Sequence, residues 1–381
     1  MTTAVTATPR RDRSAVDPSH GEPARIRIRR IERSDVLTVV GSAVSAFATT
    51  WLVFQRLTPL SGGLGFFVVW YAVFLALVFV IAREVHDPLR ARDQVARVVV
   101  WSGGVSVFVP LVMIVGYVIG KGYHALRPQF FVEDQRFVGS LSDSTEGGGA
   151  HAIIGTLEQV GLAAVLAVPL GVLSAIYLNE IRGRFARPLR MLVDAMSAVP
   201  SIVAGLFIYA SLILALGAEQ SGTAGALSLT VLFLPTVTRT AEVVLRLVPG
   251  GLREASLALG ATEYRMAGQV VLPTARSGLM TAVILGVARV IGETAPLILT
   301  IGGAFVMNWS PFVGKQDALP LFVFRLIRLP EPAQIQRAWT GALVLLLLVL
   351  VLFVIARVLG GRGPDHISRR RRARLARKGL A

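Results

Sequence analysis

The chain has 381 residues, of which 54% are hydrophobic and 16% are charged, and this balance excludes an ordinary soluble domain of that length. The absence of cysteine excludes disulfides, thiolate metal sites and cysteine nucleophiles. The net charge of +16 would suit a nucleic-acid-binding protein, but the arginines concentrate in both tails and in alternate loops, as the positive-inside rule predicts. We therefore expect an all-α, polytopic membrane protein that binds no nucleic acid.

Both ends of the chain are basic and poor in apolar residues. Residues 1–35 are rich in Arg, Pro, Thr and Ser, and residues 361–381 include the run from Arg369 to Arg372. Because such segments cannot bury enough apolar surface to fold, we expect two disordered basic tails. No small-residue cleavage site closely follows the first apolar run, so we expect no secretory signal peptide.

Eight apolar stretches are long enough to cross a membrane, since a helix needs roughly 20 apolar residues to span a hydrocarbon core about 30 Å thick. They lie at residues 36–57, 64–82, 98–120, 153–178, 190–215, 225–248, 278–301 and 338–359. Several contain proline, and we expect ordinary kinks of a packed bundle at Pro169, Pro200, Pro235 and Pro296.

The basic residues of the loops predict the orientation. Lys and Arg number 4, 4 and 3 in the loops 83–97, 180–190 and 249–277. They number 0, 3, 0 and 4 in the loops 58–63, 121–150, 216–224 and 302–337. The first group and both tails are therefore predicted to be cytoplasmic, in the cell membrane. The 302–337 loop fits least well, and its basic residues Arg325 and Arg328 are expected to snorkel from an amphipathic segment at the outer interface.

The sixth span contains three ionisable residues. An arginine at the membrane centre costs roughly 2.5–3.5 kcal/mol on insertion scales, so such residues suggest function. Arg239, Glu242 and Arg246 fall within about 60° of one another around a helix, on one stripe. We expect Arg239 near the midplane, whereas Arg246 lies close to the cytoplasmic end and is assigned to structure or orientation.

A polar insert, EASLALGATEYRMAGQVVLP at residues 254–273, follows that span in what we call the coupling loop, residues 249–277. We expect a helix that Gly260 stops in the left-handed conformation, and a second helix with Thr262 as its N-cap. Pro273 is expected to mark the turn into the next span. Two short helices at a fixed angle would form a rigid connection.

The spacing of this insert resembles the cytoplasmic EAA motif of ATP-binding-cassette importer permeases, which docks onto a separate ATPase. Ser256 and Val270 stand where the motif usually has alanine and isoleucine, and both changes conserve size. The residues expected to contact the ATPase are Glu254, Ala255, Ser256, Gly260, Tyr264 and Arg265.

The chain carries no phosphate loop of its own. The run from Val313 to Lys315 lacks both the first glycine and the hydroxyl residue of that motif. We therefore expect no cofactor in this chain, with ATP and Mg bound by the partner ATPase. The five histidines lie in predicted tails, loops or span edges, and we expect no metal site.

The seventh span contains Arg289 and Glu293, an i,i+4 pair that would share one face of a helix near the midplane. Arg239 and Arg289, each with a carboxylate about one turn away, have two explanations. They could form internal salt bridges, or they could form an anion site, since the guanidinium fork matches phosphate or sulfate oxygens bidentately. In an anion site, Glu242 would accept a hydrogen bond from a protonated phosphate, which sulfate cannot offer. We expect Asp194 and Glu180 to be solvated or interfacial.

Five strings resemble the phosphate-specific transport (Pst) permease family, and the GETAPL run favours its PstA-type subunit. They are HAIIGTL at 151–157, PLGVLSAIYLNE at 169–180, DAMSAVPSIVAGLF at 194–207, LPTVTRTAEVVLRLVPGGLREASLALGAT at 234–262 and ARVIGETAPLILT at 288–300. The resemblance implies that Arg239 and Arg289 serve phosphate passage, with Glu242 as acidic companion.

The resemblance also implies a fold and partners. The fold is a type I ABC importer permease core of six helices at residues 98–360, preceded by two additional helices and a loop at 36–97 to which no role can be given. The implied partners are a PstC-type permease, a PstB-type ATPase dimer and an extracytoplasmic phosphate-binding protein. The implied function is that of a phosphate permease, half of the pore.

Three other functions are considered, of which two stay open and one is disfavoured. A permease for sulfate or molybdate would share most of these features. An intramembrane enzyme is disfavoured because the chain has no H-E-x-x-H and no G-x-S-x-G motif. A membrane scaffold or sensor would not need Arg239 or Arg289 for uptake.

Overall fold

All regular secondary structure that the computed structural model describes is helical, apart from an isolated β-bridge between Gly302 and Gln316. The described residues are 33–58, 62–85, 88–139 and 141–359. The tails predicted at 1–35 and 361–381 therefore lie almost entirely outside the described residues, and the orientation of the termini stays a prediction.

Most of the helices follow one another along the chain with short connections, and longer connections precede the fourth and the twelfth helix. The helices are α1 (Arg33–Leu52), α2 (Gly63–Val85), α3 (Pro88–Gly122), α4 (Ala150–Ile176), α5 (Ala186–Ala198), α6 (Ser201–Ile208), α7 (Gly222–Arg246), α8 (Gly250–Ala258), α9 (Glu263–Met266), α10 (Leu272–Val290), α11 (Ala295–Thr300), α12 (Leu319–Leu326) and α13 (Pro332–Leu359). Single π-helical segments extend α1, α4 and α6, and another, Ala267–Val271, joins α9 to α10.

In the described part of the chain, seven helices are long and apolar enough to cross a membrane, and one bent helix pair brings the number to eight. This agrees with the eight predicted spans, but the fifth is not continuous. It consists of α5 and α6, which meet at 106°. Val199 precedes Pro200, and a proline drives the residue before it out of the helical region, so the helix breaks there.

Two predicted loops are shorter than expected. The loop predicted at 83–97 is largely helical, because α3 already begins at Pro88, and proline is well suited to a first turn. Pro273 likewise lies in the first turn of α10 and makes no turn of the chain. An apolar helix runs from Glu263 to Val290 without interruption, and the prediction of a turn at Pro273 was wrong.

The chain divides into two compact units, Met1–Val112 and Met113–Ala381. In the first unit, α1 and α2 form a hairpin around an apolar core that includes Ala46, Phe74 and Val78. The boundary between the units falls within α3. The domain boundaries at 97 and 360 that the sequence suggests stay predictions.

In the second unit, α7 is the central helix. It packs against α4 on one side and α10 on another. Half of its apolar stretch is buried, compared with 6–33% for the other single-helix spans that the structure describes. Ionisable residues on α7 are therefore held among neighbouring helices, where each position around the helix has a different environment.

Gly155 of α4 offers a direct test of packing in this unit. A Cβ at Gly155 would lie 2.1 Å from the backbone oxygen of Asp317, whereas a Cβ at Gly161 of the same helix would meet nothing within 4 Å. We expect Gly155→Ala to lower the free energy of unfolding by about 1–3 kcal/mol through overpacking. Gly161→Ala should be neutral or stabilise by about 1 kcal/mol, since alanine is the better helix former. Thermal unfolding of the purified complex measures both, and equal effects would contradict the close approach.

Candidate functional site

A cavity of about 350 Å³ lies in the second unit between α5, α7 and α10. Both arginines singled out from the sequence, Arg239 of α7 and Arg289 of α10, line it. Three hydroxyl side chains line it as well, and the rest of the wall is apolar. The hydroxyl residues are Ser197, Thr236 and Thr240, and the apolar residues are Met196, Val199, Leu232, Pro235 and Leu285.

Two interrupted helices adjoin the cavity. One interruption is the bend at Val199–Pro200, and the other follows Val290, where α10 ends before α11 begins. Beyond the breaks, α6 and α11 pack so closely that a Cβ on Gly205 would lie 2.5 Å from Cα of Pro296. Interrupted backbone is tolerated at membrane depth where it is buried in protein or lines a cavity. The breaks therefore suit a binding cavity.

Arg239 forms an ion pair with Asp194 of α5, a residue that the sequence predicts to be solvated or interfacial. Both side chains are about half exposed, at 48% and 49%. Arg239 thus forms a salt bridge, as one of the two explanations proposed, but its partner is a carboxylate 45 residues away in the sequence and not Glu242 on the same helix. Arg239 also lines the cavity, so this residue has both the ion pair and the cavity contact.

Glu242 is buried, with a side chain only 6% exposed, and it does not line the cavity. Its carboxylate accepts a hydrogen bond from Arg190 of α5 at 3.1 Å and lies 3.6 Å from Arg246, one turn along α7. Arg246 therefore has the structural contact that the sequence suggested. The expectation that Glu242 accompanies Arg239 was wrong, and its place in the pathway stays a prediction.

Arg289 and Glu293 do not form a pair on one helix face. Because α10 ends at Val290, Glu293 lies in the break, where its backbone N–H donates to the Val290 carbonyl. The expected i,i+4 geometry was wrong. Arg289 is exposed at the cavity wall, and its guanidinium has no ion pair within the described ranges. A role of Glu293 in the pathway stays a prediction.

As far as Arg265, the coupling loop has the local structure that its sequence predicts. The helix α8 ends before Gly260, whose φ of +83° is left-handed, and the Thr262 hydroxyl caps α9 by accepting from the Arg265 N–H at 3.4 Å. The side chains of Leu259 and Tyr264 are 89% and 70% exposed. The predicted docking residues Glu254, Ala255, Ser256, Gly260, Tyr264 and Arg265 all lie on this segment, and their contact with an ATPase stays a prediction.

An ion pair that the sequence did not reveal holds this segment. Arg253, in α8, donates two hydrogen bonds of 2.8 Å to Glu180, whose side chain is 2% exposed. Arg253 also donates to the carbonyls of Leu245 and Val248, at the end of α7 and just past it. The hydrogen bonds to Glu180 raise the pKa of Arg253 above its ordinary value, so the charge is secure. The sequence signal was the arginine directly before the motif, but its partner lies 73 residues away.

The site combines two fixed positive charges with hydroxyl oxygens beside interrupted helices. Guanidinium groups bind oxyanions through paired N–H donors and stay charged at any physiological pH. The cavity thus has the chemistry to hold a small oxyanion.

Known proteins resemble this chain over most of its length. The family described as "Binding-protein-dependent transport system inner membrane component" matches residues 167–362. The phosphate transport system permease protein PstA 1 of Mycobacterium tuberculosis (strain ATCC 25618 / H37Rv) is 40% identical over 74% of this chain and 91% of that protein. The phosphate transport system permease protein PstA of Mycobacterium leprae (strain TN) is 39% identical over 71% of this chain and 89% of that protein. A solved chain of the MetNI methionine ABC transporter, inward facing, is 23% identical over 54% of this chain and 89% of its own length, with a TM-score of 0.44.

Proposed function

The chain belongs to the PstA family of binding-protein-dependent inner-membrane permeases, and from this premise we propose that it forms half of the translocation pathway of an ATP-driven importer of inorganic phosphate. It is a multi-pass inner-membrane protein and a permease subunit, not a member of a catalytic family. It works in an ABC transporter complex with other permease and ATPase subunits.

Arg239 and Arg289 line the same cavity, and this arrangement is the main support for phosphate transport. They come from helices on opposite sides of the coupling loop and lie 50 positions apart in the sequence (289 minus 239). Two guanidinium groups on one cavity repel each other, and an oxyanion between them removes that cost. We therefore assign these two arginines to phosphate binding.

The cavity hydroxyls support phosphate over sulfate. Ser197, Thr236 and Thr240 each donate to a carbonyl of their own helix, at 2.8, 3.0 and 2.8 Å. Because each hydroxyl proton is already used in that hydrogen bond, the hydroxyl oxygen can act towards a ligand only as an acceptor. Hydrogen phosphate can donate its O–H to such an acceptor, whereas sulfate has no proton at neutral pH. This replaces Glu242, which does not line the cavity, as the basis of selectivity.

The coupling loop supports an external motor. It begins just after α7, which carries Arg239, and continues through α9 into α10, which carries Arg289. We infer that a PstB-type ATPase dimer, which binds ATP and Mg, presses on this loop. A PstC-type permease completes the pore, and an extracytoplasmic binding protein delivers phosphate. ATP binding then opens the pore outward, and hydrolysis resets it inward.

ATPase stimulation in the reconstituted complex tests this function. We expect the binding protein loaded with phosphate to stimulate ATP hydrolysis and [³²P]phosphate uptake together in proteoliposomes. Sulfate and molybdate, at the same concentration, should do neither. Stimulation by sulfate or molybdate alone would assign the permease to that oxyanion. Purification without any ATPase or second permease would contradict the subunit role.

A further inference from the structure

Two ion pairs tie the amphipathic helix α5 to α7. Arg190 pairs with Glu242, and one turn further along α5, Asp194 pairs with Arg239. The two ties lie side by side, since their residues are four apart on α5 and three apart on α7.

The two ties have different surroundings. Glu242 is buried and keeps a second cation, Arg246, and neither Glu242 nor Arg190 lines the cavity. The Asp194 tie is half exposed, and its arginine lines the cavity. A ligand in the cavity can therefore contact Arg239 of the Asp194–Arg239 pair, but neither residue of the Arg190–Glu242 pair.

We propose that Asp194 is a resident counter-ion, which occupies Arg239 until an oxyanion enters the cavity and displaces it, releasing that end of α5. This inference rests on the proposed function, because it takes phosphate as the displacing anion. Carboxylate and phosphate oxygens compete for the same guanidinium N–H groups, so one arginine cannot serve both fully.

The charges around the cavity favour displacement. With Asp194 in place, Arg239, Arg289 and the carboxylate sum to +1, and once Asp194 has moved away the two arginines present +2. The second value matches the dianionic form of hydrogen phosphate. Because Asp194 is half exposed, the helices of this chain do not enclose its carboxylate when it leaves Arg239.

Displacement would also move a helix end. Asp194 lies in the last turns of α5, which ends at Ala198, next to the break at Val199–Pro200. Freed from Arg239, this end of α5 keeps the Arg190 tie to α7 and can turn about it. Cargo arrival is then linked to a conformational equilibrium, because phosphate binds the released state better than the paired state.

Phosphate binding to the assembled complex tests the inference. We would measure [³²P]phosphate binding to the complex in nanodiscs, without the binding protein. Asp194→Asn keeps the shape and removes the competing charge, so it should bind phosphate about two- to fivefold more tightly, the range that exposed ion pairs contribute. Asp194→Glu should bind like the wild type. Arg190→Gln is the matched control, because it cuts the other tie and should leave affinity unchanged.

The outcomes separate this inference from the proposed function. Unchanged or weaker binding by Asp194→Asn, or an equal gain in Arg190→Gln, would show that Asp194 is only a structural tie. If Arg239→Gln retains full phosphate binding, the assignment of Arg239 to phosphate binding in the proposed function fails. If Arg239→Gln loses binding while Asp194→Asn is unchanged, only the counter-ion is refuted.

A second measurement does not depend on how Asp194→Asn folds. The chain has no cysteine, so Ala195→Cys places a single spin label in this subunit on an exposed position at the end of α5 that would be released. Phosphate should increase the mobility of that label in the complex, and this response should vanish in Arg239→Gln. A label that phosphate leaves unchanged would refute the release of α5.

Discussion

Replacing Arg289 by glutamine is expected to reduce phosphate uptake by about 10- to 100-fold, the loss that corresponds to one charge-assisted hydrogen-bonding partner. Arg289 lines the cavity and has no ion pair within the described chain, so its removal leaves no carboxylate without a partner. Initial rates of [³²P]phosphate uptake in proteoliposomes measure the effect. Arg239→Gln should cause a loss of the same order, although it also frees Asp194.

Matched variants make this result specific. Arg357→Gln changes an exposed arginine of α13 that lies outside both the cavity and the coupling loop, and it should keep uptake near the wild-type rate. Arg289→Lys keeps the charge and loses the planar fork, so an intermediate rate would indicate bidentate binding. Full uptake by an assembled Arg289→Gln complex would remove this residue from the pathway and favour a scaffold or sensor.

Replacing Arg253 by alanine is expected to separate ATP hydrolysis from transport. The change leaves the buried carboxylate of Glu180 without its ion-pair partner, with only the Asn179 amide, among the described residues, still donating to it, and this should lower the free energy of unfolding by about 3 kcal/mol. It also removes the donors that hold the end of α7 to α8. We expect phosphate uptake to be largely lost while ATPase activity of the assembled complex persists, as measured side by side in proteoliposomes.

The double variant Glu180→Gln/Arg253→Gln identifies the physical cause. It removes both charges together, so no buried charge is left unpaired, and it should recover much of the lost stability. Uptake should stay low if the ion pair itself transmits movement from the coupling loop. A double variant as unstable as Arg253→Ala would refute the buried-charge explanation, and normal uptake by Arg253→Ala would refute the coupling role.

Local sequence signals predicted the elements of the fold well. Apolar length gave the eight spans, and the glycine and threonine of the coupling loop gave a helix break and an N-cap where the structure has them. Helix interruptions were harder to predict. The bend at Pro200 and the end of α10 at Val290 lie within stretches that are apolar enough on average to be predicted as single spans, and average hydropathy carries no information about helix direction.

The sequence correctly predicted the arginines of the candidate site, but it did not predict which carboxylates pair with them. Arg239 and Arg289 were identified by their positions in apolar spans, and both line the cavity. Their expected companions were the nearest carboxylates in the same spans. The structure instead gives Asp194 to Arg239 and gives Glu242 to Arg190, partners 45 and 52 residues apart in the sequence.

The class of protein, the number of spans, the coupling loop and the two arginines could all be read from the amino-acid sequence, because each depends on composition or on spacing along one segment. The three-dimensional arrangement was needed to show that Asp194 pairs with Arg239, that two interrupted helices border the cavity, and that Glu180 pairs with Arg253. An ion pair between helices depends on how each helix is rotated and where it breaks. Packing across the whole bundle sets both.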